Sequence, residues 1–206
     1  CLFCIKIMKP NFLIFTFFYI LIIFSVIGYG LFFGKLVNKE SATYNLGYSG
    51  LIGIFFLILY SYISHFFISH GLIHNLILLI IGIFLSVFFI FKNSKNFFFY
   101  MMLLIFLILY IGLIIFKTHD DFPYYHFSYS YHLTQNEIIA GIGKLNHGYR
   151  TPSSIFYLNS LFYLPGASFY LFHIPAIMIM GFANIILLSK IIKSIQLKKI
   201  NFLSYY

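Results

Sequence analysis

The chain contains no tryptophan, a single arginine, two cysteines and only four acidic residues among 206. Each shortage removes a class of protein. Cys1 and Cys4 cannot build a disulfide framework, and a bare CxxC at one end does not specify a zinc or redox fold. Charged residues make up 8% of the chain and hydrophobic ones 62%, against about 25% and about 45–50% in soluble domains, which excludes a water-soluble globular class. The net charge of +9 is spread along the flanks of apolar runs, not gathered into a basic groove, so nucleic acid is not an expected partner. Neither GxGxxG nor GxxxxGK occurs, and the soluble nucleotide-binding loops are missing with them. The chain opens on Cys without an initiator Met, and the expectation is a piece of a longer reading frame.

What is present is mostly hydrocarbon. The 29 Phe and 18 Tyr, beside abundant Ile, Asn and Lys, read as the composition of AT-rich coding and not as an aromatic ligand site. A bilayer core about 30 Å thick needs about 20 helical residues. Asn11–Phe33, Leu46–Phe67, Leu72–Phe91 and Phe97–Phe116 reach that length, and none contains Asp, Glu, Lys or Arg. Residues 154–189 are too long for one crossing and too short for two. Pro165-Gly166 divides them, predicting an interfacial or re-entrant helix over Ile155–Leu164 and a fifth span over Ala167–Leu188, kinked at Pro175. The expected fold class is an all-α integral membrane protein: residues 1–206 form a single transmembrane domain of about five spans, with short interfacial helices in one polar loop, 117–154.

Five spans place Lys35, Lys39, Lys92, Lys95, Lys190, Lys193, Lys198 and Lys199 on one side. Lys6, Lys9, Lys117, Lys144 and Arg150 fall on the other. The larger group marks the cytoplasmic face. The expected location is therefore the bacterial inner (cytoplasmic) membrane, with the polar loop extracytoplasmic and the lipid bilayer as the main partner.

Three of the four acids, Asp120, Asp121 and Glu137, lie in that loop. Adjacent carboxylates at an interface raise at least one pKa unless a cation compensates, which suits proton abstraction or the binding of Mg²⁺ or Mn²⁺. Neighbouring side chains diverge, so Asp121 is the candidate facing a site and Asp120 its support; the alternative is that both simply solvate the end of a span. Thr134 and Glu137 fit a capping box, and Ile138, Ile139, Ile142 and Leu145 recur on one face, predicting an amphipathic surface helix that stops at Gly148 with Glu137 as a cap. Arg150 carries the fork that grips phosphate or carboxylate bidentately, or else pairs with the Asp residues. His70 and His74, spaced i, i+4, could share a metal on one helix face, although no HExxH accompanies them.

A multi-span chain with an acidic pair just outside a span, followed by an amphipathic interfacial helix, resembles the GT-C class of membrane glycosyltransferases over residues 117 to about 165. The resemblance implies a polyprenyl-phosphate-linked sugar as donor and Asp121, or Asp120, as the acid that acts on the acceptor or binds a metal. The family's acidic loop usually follows the first span, whereas four spans precede it here. On this reading Asp121 would accept the acceptor's hydroxyl proton while Arg150 or a metal stabilises the departing lipid phosphate. Tyr124 and Tyr125 would stack on a sugar ring, and His119 and His126 would tune Asp121. Two other classes stay open: a transporter or flippase component, against which the lack of Asp, Glu, Lys and Arg inside the spans counts, and a non-catalytic assembly subunit whose loop binds a partner.

Overall fold

The computed structural model describes residues 11–37, 45–90, 96–115 and 121–196. His119, Asp120, Cys1 and Cys4 lie outside them. Among the described residues every regular element is helical: α1 (Phe12–Val37), α2 (Leu46–His65), α3 (Leu72–Ile90), α4 (Asn96–Ile115), α5 (Phe127–Gln135), α6 (Ser154–Ser160) and α7 (Ile174–Gln196). One π-helical turn (Phe122–His126) leads into α5, and 3₁₀ turns occupy Ile142–Lys144, His147–Tyr149 and Phe169–His173. Helices α1 to α4, and α7 with the turn before it, are long and apolar enough to cross a membrane. Helices satisfy their own backbone, which is why such runs adopt no other form in lipid.

Small residues decide how the bundle packs. Lipid tails are as apolar as leucine, so helices associate in a bilayer by close approach and not by hydrophobic collapse. Gly30 of α1 rests against the carbonyl of Ser49, and Gly53 of α2 against that of Val26. On the other flank of α1, Gly28 meets the Gly82 carbonyl while Gly82 covers Ser25. The two seams leave α1 clasped between α2 and α3. Gly47 and Gly50 receive Phe182 of α7, and the Asn45 amide donates to Ser189 Oγ at 2.8 Å across the same pair. The Phe106 ring of α4 lies against Gly181 of α7, and the Tyr19 hydroxyl of α1 donates to the Phe106 carbonyl at 2.8 Å.

The helices alternate in direction, giving the bundle two unlike ends. Lys35, Lys190 and Lys193 mark one. The other carries α5, α6 and the polar loop, where the Tyr62 hydroxyl of α2 meets Ser154 at 3.1 Å and Gly166 lies against Ile14 of α1. After α6 the chain enters the bundle: Leu161, Phe162 and Leu164 share a ≈ 10 Å³ cavity with Ser25, Tyr29, Leu57, Asn75, Leu78 and Leu79. That is room for about one water. The chain then turns at Pro165-Gly166, with Gly166 at φ 74°, and Leu164 bridges Ser168.

Two local expectations differ from the structure. The last long helix starts at Ile174, so Pro175 sits in its first turn, where a missing N–H costs nothing and no kink is needed. The surface helix expected from Thr134 onward is replaced by α5, which ends at Gln135. Thr134 donates back to the Tyr131 carbonyl at 2.7 Å, and Glu137 is an exposed residue beyond the helix end. Burial of Tyr129 and Leu133 in the cap outweighs a capping box on an exposed segment, and Gly141 at φ 81° turns the chain where the helix was expected to run.

Substitution of Gly30 or Gly53 by valine drives a side chain into backbone, and we expect loss of the monodisperse folded species in detergent chromatography. Gly112→Ala of α4, with open space around it, is expected to keep that species and gain up to about 1 kcal/mol of helix propensity in thermal unfolding.

Candidate functional site

The polar groups of the capped end centre on the turn between α2 and α3. His70 is fully buried, with Nε2 at 2.9 Å from Ser64 Oγ and Nδ1 at 2.6 Å from Ser160 Oγ of α6. Ser160 also reaches the Tyr157 carbonyl at 2.7 Å, whereas Ser64 reaches the Ser61 carbonyl only at 3.3 Å. The Ser160 proton thus has the better partner elsewhere, and the balance assigns the neutral His70 tautomer with Nδ1–H donating to Ser160 and Nε2 accepting from Ser64. Burial, then the neighbouring imidazoles of His65 and His74, push the His70 pKa down to about 3.

Asn75 is the hub. Its Nδ2 faces the carbonyls of His70 (2.8 Å), Ser160 (2.8 Å) and Tyr163 (3.0 Å), and its Oδ1 meets His74 Nδ1 at 2.9 Å. An amide oxygen only accepts, so His74 carries its proton on Nδ1 and accepts the Tyr60 hydroxyl at Nε2, 2.8 Å away. The rings of Tyr60, His74, His70 and His65 follow one another with centroids 5.8, 5.3 and 5.2 Å apart. Among the described residues, two buried nitrogens, His65 Nδ1 and His132 Nε2, find no hydrogen-bond partner. Burial lowers the His132 pKa.

Above this network lies an aromatic cluster of Tyr129, Leu133, Phe156 and Tyr157, with Tyr62, Tyr125, Ile142 and Tyr149 packed around it. Tyr62 stacks on Tyr157 at 4.1 Å, and the His70 N–H donates to the Leu133 carbonyl at 3.0 Å, fixing α5 to the turn below. Burial, then the bond to Tyr157, raises the Tyr129 pKa.

The residues singled out from sequence sit on the outer lip of this cap. Asp121 is exposed at the position preceding the π-helical turn, and its side chain makes no capping bond there. Tyr124 is 74% exposed. Tyr125 is half-buried and packs against Gly148, which brings the turn and the 146–150 arm together. His126 is also half-buried, 4.3 Å from the Tyr125 ring and 4.9 Å from Phe156. Arg150 is exposed and donates through Nε to the Gly143 carbonyl at 3.4 Å. His70 and His74 do not share a metal: each uses both ring nitrogens on protein partners, and no group of three or more His, Cys, Asp or Glu could hold one among the described residues.

Sequence reasoning missed Asn75 and Ser160. Asn75 left a signal, a lone amide in the first turn of an apolar helix, where only an internal partner makes it tolerable. Ser160 left none, because its partner is 90 positions away.

Among the described residues, five membrane-length apolar helices closed at one end by an aromatic cap over a histidine–asparagine network define a multi-pass, all-α membrane protein. Comparison narrows this no further: no family model, curated protein or solved structure matches the chain.

Asn75→Leu removes the amide donor that serves the His70, Ser160 and Tyr163 carbonyls, of which Ser160 keeps only the Tyr163 N–H at 3.3 Å, and is expected to destabilise the protein by about 3 kcal/mol or more, read by thermal unfolding in detergent. The low His70 pKa sets a pH dependence. Between the unfolded value near 6.5 and the folded value of about 3, only the unfolded chain takes up this proton. Stability therefore falls as pH falls, by about 1.4 kcal/mol per unit across that window. His70→Gln should lower stability at neutral pH and flatten this slope by one proton's share.

Proposed function

We propose that the protein is a membrane glycosyltransferase that uses a lipid-linked sugar, with Asp121 on the extracytoplasmic lip of the cap as general base or metal ligand. The observation that carries this reading is the packing of Tyr125 against Gly148. It brings together two segments more than 20 residues apart, one carrying the exposed Asp121 and Tyr124 and the other the exposed Arg150. Each suits a part of the reaction. Asp121 would take the acceptor hydroxyl proton, Tyr124 would lie against the sugar, and Arg150 would hold the departing phosphate bidentately. Asp120 remains the other candidate for the acid. Mg²⁺ or Mn²⁺, if used, would sit at this acidic pair and screen the phosphate charge. The lip's place at the end of the bundle suits a donor whose lipid stays in the bilayer while its head group leaves it.

Asp121→Asn should lower transfer from a polyprenyl-phosphate sugar in proteoliposomes by about 10²–10⁴-fold with unchanged abundance. Wild-type transfer rates from this variant, with Asp120→Asn equally active, would rule the reading out. Arg150→Lys should recover less than half of the activity lost in Arg150→Ala if bidentate geometry is what matters.

A further inference from the structure

Residues 136–146 join α5 to the Arg150 segment, and they are oddly apolar for an exposed connection. Leu145 is 79% exposed, Ile138 48% and Ile139 46%. Between them Ile142 turns inward onto the aromatic cluster and anchors the arm. Gly143 then lies directly under Arg150, whose Cγ and Cα would stand 3.2 and 3.3 Å from any Cβ placed there. The exposed tip, Lys144 and Arg150 are thereby one unit.

The level of the arm is fixed by its neighbours. Glu137 is within electrostatic reach of His65, the last residue of α2. Ile142 shares its cluster with Tyr62, one turn inside the end of that helix. The arm thus stands where α2 leaves the apolar zone. Exposed apolar side chains reach the same level, since Phe66, Phe67, Ile68 and Ile73 are all exposed around the turn. A short stretch of bulky aliphatic residues next to a lysine, at that depth, has the composition of an interfacial anchor.

We propose that the 136–146 arm docks on the protein's own bilayer: Leu145, Ile138 and Ile139 enter the outer edge of the acyl region while Lys144 meets anionic headgroup phosphates. The anchoring does not depend on whether Asp121 is catalytic. It holds the lip at headgroup depth, so that Arg150 meets phosphate at the level where lipid phosphate lies.

The absence of tryptophan from the chain gives a clean probe. Leu145→Trp and, as a mid-span reference, Phe84→Trp are placed in the full chain and reconstituted in anionic or zwitterionic vesicles with and without brominated acyl chains. The expected result is blue-shifted Leu145→Trp emission that is quenched most by bromine near the headgroup end of the chain, with Phe84→Trp quenched most by deep bromine. Adding Lys144→Glu to Leu145→Trp should weaken quenching in anionic vesicles and leave it unchanged in zwitterionic ones. Water-like Leu145→Trp emission, quenched by iodide but not by brominated lipid while Phe84→Trp responds, would overturn the proposal. An unresponsive Phe84→Trp would overturn it too, because no bilayer would then surround α3.

Discussion

The capped end of this protein depends on one amide. A chain that stops being helical inside an apolar bundle leaves carbonyls without partners, and each such group is costly where no water reaches it. The segment after α6 makes that break beside the bundle core. Asn75 answers it by aiming Nδ2 at the carbonyls of Ser160 and Tyr163, and at that of His70 in the turn below. Its oxygen is in turn fixed by His74, which is fixed by Tyr60. The side chain that permits the re-entrant segment therefore also sets the tautomer of a histidine and ties the cap to α2 and α3.

The network can be this exacting because the bundle beneath it is rigid. Glycine seams bring α1 into backbone contact with both α2 and α3, and such surfaces tolerate little sliding. Position is passed upward from them. The ends of α2 and α3 locate Ser64, His70 and Asn75, these locate α6, and the aromatic cluster between α6 and α5 locates the π-helical turn that presents Asp121. On this account the lip chemistry is held by aromatic packing and hydrogen bonds. Buried ion pairs are not needed, which fits a chain with four acids.

The membrane helices were legible in the sequence because hydrocarbon length and the absence of charge are local properties. The break at Pro165-Gly166 was readable for a similar reason, since it interrupts an apolar run of awkward length, although the helix before it ends at Ser160 and not at Leu164 as expected. The surface helix over 134–148 was misread. Thr134 and Glu137 satisfy the grammar of a helix start, but Tyr129 and Leu133, just upstream, gain more by burial against residues 156 and 157. That competition is invisible in one dimension. The histidine network escaped for the same reason: His70 looked like half of a metal pair with His74 until Ser160 occupied its nitrogen. Asp121, Tyr124 and Arg150 lay open to sequence reading only as rare or loop residues, and the approach of their two segments through Tyr125 and Gly148 required the fold.

Everything above requires a bundle with two unlike ends on opposite sides of a membrane. The direct test is thiol labelling in intact cells with an impermeant reagent, in a chain with Cys1 and Cys4 changed to Ser. Ser153→Cys reports the capped end and Lys193→Cys the lysine end; both side chains are exposed. The expected result is labelling at 153 and protection at 193 until the membrane is opened. Labelling of both positions in sealed cells, or of 193 alone, would contradict it.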